Sequence, residues 1–159
     1  MKKLELNSDL KDIFDLILDI SWFFSNQCFN EKCCDDLTLV EYMALKKIYE
    51  SEGNNIQSIG HALNITKSGM SKIINKLEKK SYVLKKQSPI DGRLCCVKIT
   101  EKGSNAIKNT ANMYSDYLTE ALSNLDYEKM KIENITDTLL KLYQALKKKG
   151  YINQAGIKN

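Results

Sequence analysis

A chain of 159 residues, 43% hydrophobic and 28% charged, suits one globular domain, or one core with an extension for oligomerisation. No apolar run approaches the roughly 20 residues of a membrane span. Met1–Leu6 has no long apolar stretch or cleavage site, so it is not read as a signal peptide, and the cytoplasm, with no membrane partner, is the expected setting. The net charge of +4 permits a nucleic-acid partner without arguing for one, and an odd set of five cysteines points to thiols rather than structural disulfides.

Residues 8–29 read as an amphipathic helix, because Leu10, Ile13, Phe14, Ile17, Leu18, Trp22 and Phe24 recur at helical spacing. Cys28–Asp36 breaks the pattern as a loop. Thr38-Leu39-Val40-Glu41 is a capping box, with Leu37 and Tyr42 placed as a hydrophobic staple, and it starts a helix that runs to about Glu52. Ile56–Leu63 is a short helix and Asn64-Ile65-Thr66 a tight turn, with Thr66 the N-cap of a helix from Lys67 to about Lys80. That helix has an apolar stripe at Met70, Ile73, Ile74 and Leu77, and an opposite face of Lys67, Ser68, Ser71, Lys72, Asn75, Lys76 and Lys79. Tyr82–Lys86 and Leu94–Thr100 then flank a segment holding the only proline and an Asp-Gly pair, which reads as a β-hairpin with a long tip. A long helix is expected from 101 to about 123. Asp126 is placed to cap a last one through Ile132, Ile135, Leu139, Leu142 and Leu146, and 151–159 reads as a tail.

Two short helices joined by a tight turn form a helix-turn-helix, whose second helix enters the major groove of double-stranded DNA. The helix from Lys67 suits that role, since one face can anchor to a core while the other carries hydroxyls, an amide and lysines. The hairpin that follows makes the unit a winged helix. Its expected DNA contacts are Thr66, Lys67, Ser68, Ser71, Lys72, Asn75 and Lys76 from the helix, and Lys85, Lys86, Asp91 and Arg93 from the wing. Arg93 is the only arginine among 24 cationic residues. A guanidinium offers a flat fork of donors that an ammonium lacks, and it is drawn into narrow A/T-rich minor grooves. Asp91, two residues earlier, can orient it.

The stretch from Leu37 to Gly103 resembles the MarR family of bacterial transcription regulators. The matching marks are Leu63-Asn64-Ile65-Thr66-Lys67-Ser68, Lys76-Leu77-Glu78-Lys79-Lys80, Asp91-Gly92-Arg93 and Ile99-Thr100-Glu101-Lys102-Gly103, in order and at the right spacing. The resemblance implies a mostly α fold with a small β-wing. Residues 35–100 would form the winged helix-turn-helix, and 1–34 with 101–150 a helical dimerisation region drawn from both termini. It also implies a homodimer on a pseudo-palindromic operator, usually a repressor. The apolar and aromatic surplus of the terminal helices, Trp22, Phe23, Phe24, Tyr114, Tyr117 and Tyr143 among them, supports a dimer independently. One departure stands out: Ser81 occupies a position that is usually Gly in this family.

Family members respond to a small molecule, an oxidant or a metal, and the resemblance places the effector crevice between the dimerisation helices and the winged helix. Trp22, Tyr42 and His61 are its candidates. An alternative is a thiol- or metal-responsive regulator that senses through Cys28, Cys33 and Cys34 in one loop, since thiolates are soft ligands and can be oxidised. Cys95 and Cys96, adjacent on a strand, alternate faces and make a poor chelate. No other cofactor is implied. A further alternative is a winged-helix interaction module that no longer binds DNA. An enzyme is not expected, because the sequence has no nucleophile–base pair, phosphate-binding glycine loop or paired metal motif.

Overall fold

The computed structural model describes residues 6–28, 36–51, 55–87, 95–123 and 132–148. In chain order these form α1 (Leu6–Phe23), ending in a π-helical turn (Phe24–Cys28), α2 (Leu39–Glu50), α3 (Ile56–Ala62), α4 (Lys67–Lys79), β1 (Val83–Gln87), β2 (Cys95–Ile99), α5 (Glu101–Ser123) and α6 (Ile132–Lys148). This is the expected mostly helical winged helix-turn-helix with long flanking helices. The limits of α2 to α5 and of both strands differ from the sequence reading by at most two residues, while the first helix ends in a π-helical turn instead of running on as α-helix to residue 29. The cap expected at Asp126 and the tail at 151–159 lie outside the described residues. Among the described residues no helix is long and apolar enough to cross a membrane.

The core belongs to the central unit. Leu37, Ala44, Leu45 and Ile48 come from α2 and its lead-in, Ile59 from α3, and Met70, Ile74 and Leu77 from α4. Tyr82, Val83 and Val97 come from the hairpin, and Ala106 and Ile107 from the start of α5. A side chain of this kind, fully buried, stabilises the fold by about 1.5–3 kcal/mol. Among the described residues neither α1 nor α6 contributes to this cluster. Of the expected staple pair, Leu37 is buried in the core and Tyr42 packs half-buried against it. The capping box beside it is closed in both directions, with Glu41 N–H donating to Thr38 Oγ1 at 3.3 Å and Thr38 N–H to Glu41 Oε2 at 3.1 Å.

Local chemistry explains why the motif helices end where they do. The turn after α3 is a Schellman motif: Ile65 N–H donates to Gly60 C=O and Asn64 N–H to His61 C=O, with Asn64 left-handed at φ 54°. Gly60 permits it, because a Cβ there would stand 2.8 Å from the Ile65 carbonyl oxygen. The end of α4 repeats the device. Tyr82 N–H reaches Leu77 C=O, Ser81 N–H reaches Glu78 C=O, and Ser81 takes φ 65°. A Cβ in that region costs about 1 kcal/mol, and the Ser81 side chain is exposed. Ser81→Gly should therefore stabilise the protein by about 0.5–1 kcal/mol, or roughly 2–4 °C in Tm per kcal/mol, in thermal melts at fixed protein concentration. An unchanged or lowered Tm would mean that the serine carries no strain.

The Ile99–Gly103 segment locks the hairpin and α5 onto this corner. Thr100 Oγ1 donates toward Ser81 C=O at 2.8 Å and Tyr82 C=O at 3.0 Å, and it accepts from Gly103 N–H at 3.0 Å as the cap of α5. Lys102 Nζ donates to the carbonyl of Lys80 at 2.9 Å and stands 4.5 Å from the centre of the Tyr82 ring. A Cβ at residue 103 would overlap the Tyr82 carbonyl oxygen and come within 2.8 Å of Ile99 Cγ1, so only glycine fits.

Candidate nucleic-acid interface

The stripe at Met70, Ile74 and Leu77 is buried, and Ile73 packs partly buried beside it. The opposite face of α4 is thereby turned outward, with Lys67, Ser68, Lys72, Asn75, Lys76 and Lys79 exposed. Thr66 is exposed, and its hydroxyl serves the helix by accepting Gly69 N–H at 3.2 Å. Ser71 is half-buried, and its hydroxyl donates back to Lys67 C=O at 2.9 Å. The ammonium groups of Lys67, Lys72, Lys76 and Lys86 make no hydrogen bond or ion pair with another described residue, so they remain available to phosphates.

The hairpin stands beside this face. β1 and β2 are antiparallel, with Val83 opposite Ile99, Lys85 opposite Val97 and Lys86 opposite Cys96. Val83 and Val97 are buried, so Lys85, which shares their face, is directed toward α4, whereas Lys86 lies on the exposed face. Lys85 Nζ contacts Glu78 Oε2 at 2.7 Å and donates to Asn75 Oδ1 at 2.8 Å, while Lys85 N–H donates to Glu78 Oε1 at 3.2 Å. The Lys85 ammonium accordingly holds the Glu78 carboxyl below its ordinary value. The sequence reading places Lys85 among the wing's DNA contacts and gives Glu78 no role beyond a family mark. The available signal was that Glu78 is the only acidic residue of α4, in a helix that otherwise offers lysines.

Asp91 and Arg93, expected at the wing tip, lie outside the described residues. So do Cys33 and Cys34, while Cys28 closes the π-helical turn after α1. Among the described residues there is no cluster of three or more metal-ligating side chains. The three effector candidates occupy different settings. His61 is exposed and borders an open hollow of about 400 Å³ with Asn55, Gln57, Ser58 and Ala62. Tyr42 packs against the core, and Trp22 is 72% exposed on α1.

A cationic helix face carried on a buried apolar stripe, flanked by a hairpin that adds outward lysine, is suited to lying in a DNA groove rather than to bond-making chemistry. Comparison with known proteins agrees. The MarR family model matches residues 37–95. The chain is 31% identical over 104 residues to the HTH-type transcriptional regulator SarZ of Staphylococcus haemolyticus, an alignment that covers 65% of this chain and 68% of that protein. Its fold is similar to that of a MarR transcriptional regulator from Methanosarcina mazei, with a TM-score of 0.74, 21% identity, and 87% and 98% of the two chains covered. It is also similar to that of Streptococcus pneumoniae FabT in complex with DNA, with a TM-score of 0.66, 20% identity, and 90% and 96% covered. The protein is a transcriptional regulator rather than an enzyme, and the chain belongs to the MarR family.

Proposed function

We propose that two copies of this chain form a homodimer that binds a pseudo-palindromic operator and represses transcription in the cytoplasm until an effector alters the dimer. The observation that carries DNA binding is the exposed lysine face of α4, where Lys67, Lys72 and Lys76 make no hydrogen bond or ion pair with another described residue. The observation that supports the dimer is the unpartnered apolar surface of the flanking helices: Phe14 is 57% exposed, Leu18 50%, Leu139 58% and Tyr143 53%. The end of α1 docks on α5 through Phe23 stacked on Tyr117 at 6.0 Å and Phe24 against Tyr114 at 5.9 Å, which leaves the rest of α1 to be covered by a partner. In such a dimer one recognition helix serves each half-site, about one helical turn apart. An effector acts by favouring a spacing that no longer matches.

Fluorescence anisotropy against DNA from upstream of the gene and against a random A/T-rich duplex, each at two salt concentrations, tests this reading. Preferential binding to the upstream DNA with a steep salt slope is expected. Arg93→Ala should weaken that binding by roughly tenfold or more, on the scale of about 1–3 kcal/mol per specific contact, while circular dichroism stays native. An unchanged affinity removes Arg93 from the interface. A wild-type protein that prefers no duplex at either salt is an interaction module instead.

A further inference from the structure

We infer that Lys85 is a positioning residue that turns the amide of Asn75, so that this side chain offers donors rather than an acceptor to the base it meets. The inference rests on the DNA-binding reading above and concerns which base is read. An ammonium can only donate, so the edge of the Asn75 amide facing Lys85 Nζ at 2.8 Å must be the oxygen. The planar amide then carries its N–H₂ group on its other edge, and the Asn75 side chain is exposed on the outer face of α4 with no other side-chain hydrogen bond among the described residues.

Lys85 is itself held from two sides. Glu78 takes its ammonium on one carboxylate oxygen, at 2.7 Å, and its backbone N–H on the other, at 3.2 Å. Glu78 and Asn75 lie three residues apart on the same helix face, so strand β1 lays one lysine across both. The arrangement also neutralises the only carboxylate of the recognition helix, which would otherwise repel phosphate.

The consequence for recognition follows from base chemistry. A free asparagine pairs with adenine by placing oxygen and nitrogen side by side on N6 and N7. With one of the oxygen's two lone pairs held by Lys85, that two-point pattern is weakened. What remains is a donor pair suited to the acceptors of guanine (N7 and O6) or thymine (O4).

Two measurements test this, the first without DNA. ¹⁵N relaxation of the Asn75 side-chain amide in the free protein should show a rigid group that becomes mobile in Lys85→Met. A mobile amide in the wild type overturns the clamp. The second is selection from a randomised duplex pool, in which Asn75→Ala identifies the base pair read by residue 75 as the one position whose preference it erases. There the wild type should enrich guanine or thymine, while Lys85→Met should shift preference several-fold toward adenine and leave the rest of the motif unchanged. Glu78→Gln, which loosens the lysine but keeps it, should give a smaller shift in the same direction and a salt slope steeper by about one. If Lys85→Met leaves the preference at that base pair unchanged and only weakens all sequences alike, Lys85 acts through charge alone and the inference is wrong. Enrichment of no sequence by the wild type overturns the DNA-binding reading, and this inference with it, even where the amide is rigid.

Discussion

A Leu18→Glu, Leu139→Glu double variant should elute as a monomer and bind operator DNA at least a hundredfold more weakly than the wild type. Both leucines sit on helices none of whose described residues joins the winged-helix core, and they are 50% and 58% exposed in the single chain. A helix pair this apolar is stable in water only when another surface covers it. In a two-fold dimer each substitution appears twice at one interface, so the variant places four carboxylates where leucines met, and desolvating unpaired charge costs several kcal/mol each. The affinity falls because the second half-site is no longer bound intramolecularly, and such linkage is worth about 10²–10⁴-fold. The winged helix should stay folded, since its core from Leu37 to Ile107 is drawn from α2–α5 and the hairpin. Light scattering, anisotropy and amide spectra on one sample check all three points. A double variant that remains dimeric would place the dimer interface elsewhere on the chain.

What could be read from sequence was local or periodic. The capping box at Thr38 and Glu41 needs only a four-residue pattern, and it is present in both directions. The α4 stripe repeats at helical spacing, and the helix buries it. The departure at Ser81 was legible only against the family pattern, which usually has Gly at that position, and φ 65° shows why. What escaped depends on side chains brought together by folding. Nothing near Lys85 in sequence says that its ammonium is spent on Asn75 and Glu78, 10 and 7 residues earlier. Gly103 stood out as a matching letter, but its reason, the carbonyl of Tyr82 from another element, emerges only in three dimensions. Trp22 shows the opposite limit: an aromatic at helical spacing suggests a core or a ligand site, yet in the single chain it is the most open large hydrophobic residue described.

Lys80→Met should cost about 2–4 kcal/mol at neutral pH, and the deficit should shrink as the pH falls toward 4.5. Lys80 caps α4 and reaches across to the start of α2. Its three donors go to Asp36 C=O at 2.6 Å, Asp36 Oδ1 at 2.7 Å and Glu41 Oε2 at 3.0 Å. The Glu41 side chain is only 5% exposed, so removing the lysine strands a buried carboxylate, the situation in which breaking one half of an ion pair is most costly. Burial pushes the Glu41 carboxyl up, but the Thr38 N–H and the Lys80 ammonium outweigh it and hold the group below 4.5. For Lys80, burial pulls down while Asp36 and Glu41 raise it above 10.5. The signs then follow. The Glu41 contribution is present above pH 4.5 and is lost as the pH falls through its lower folded value, whereas that of Lys80 is complete below pH 10.5 and is lost as the pH rises through its higher one. In the variant, burial acts on Glu41 without its cation, so acid relieves the stranded charge instead of breaking a bond. Adding Glu41→Gln should recover part of the loss at pH 7, because an amide is cheaper to bury than an unpaired carboxylate. Urea titrations of the single and double variants between pH 4 and pH 8 check this, and a deficit independent of pH would show that Lys80 stabilises α2 by packing rather than through charge.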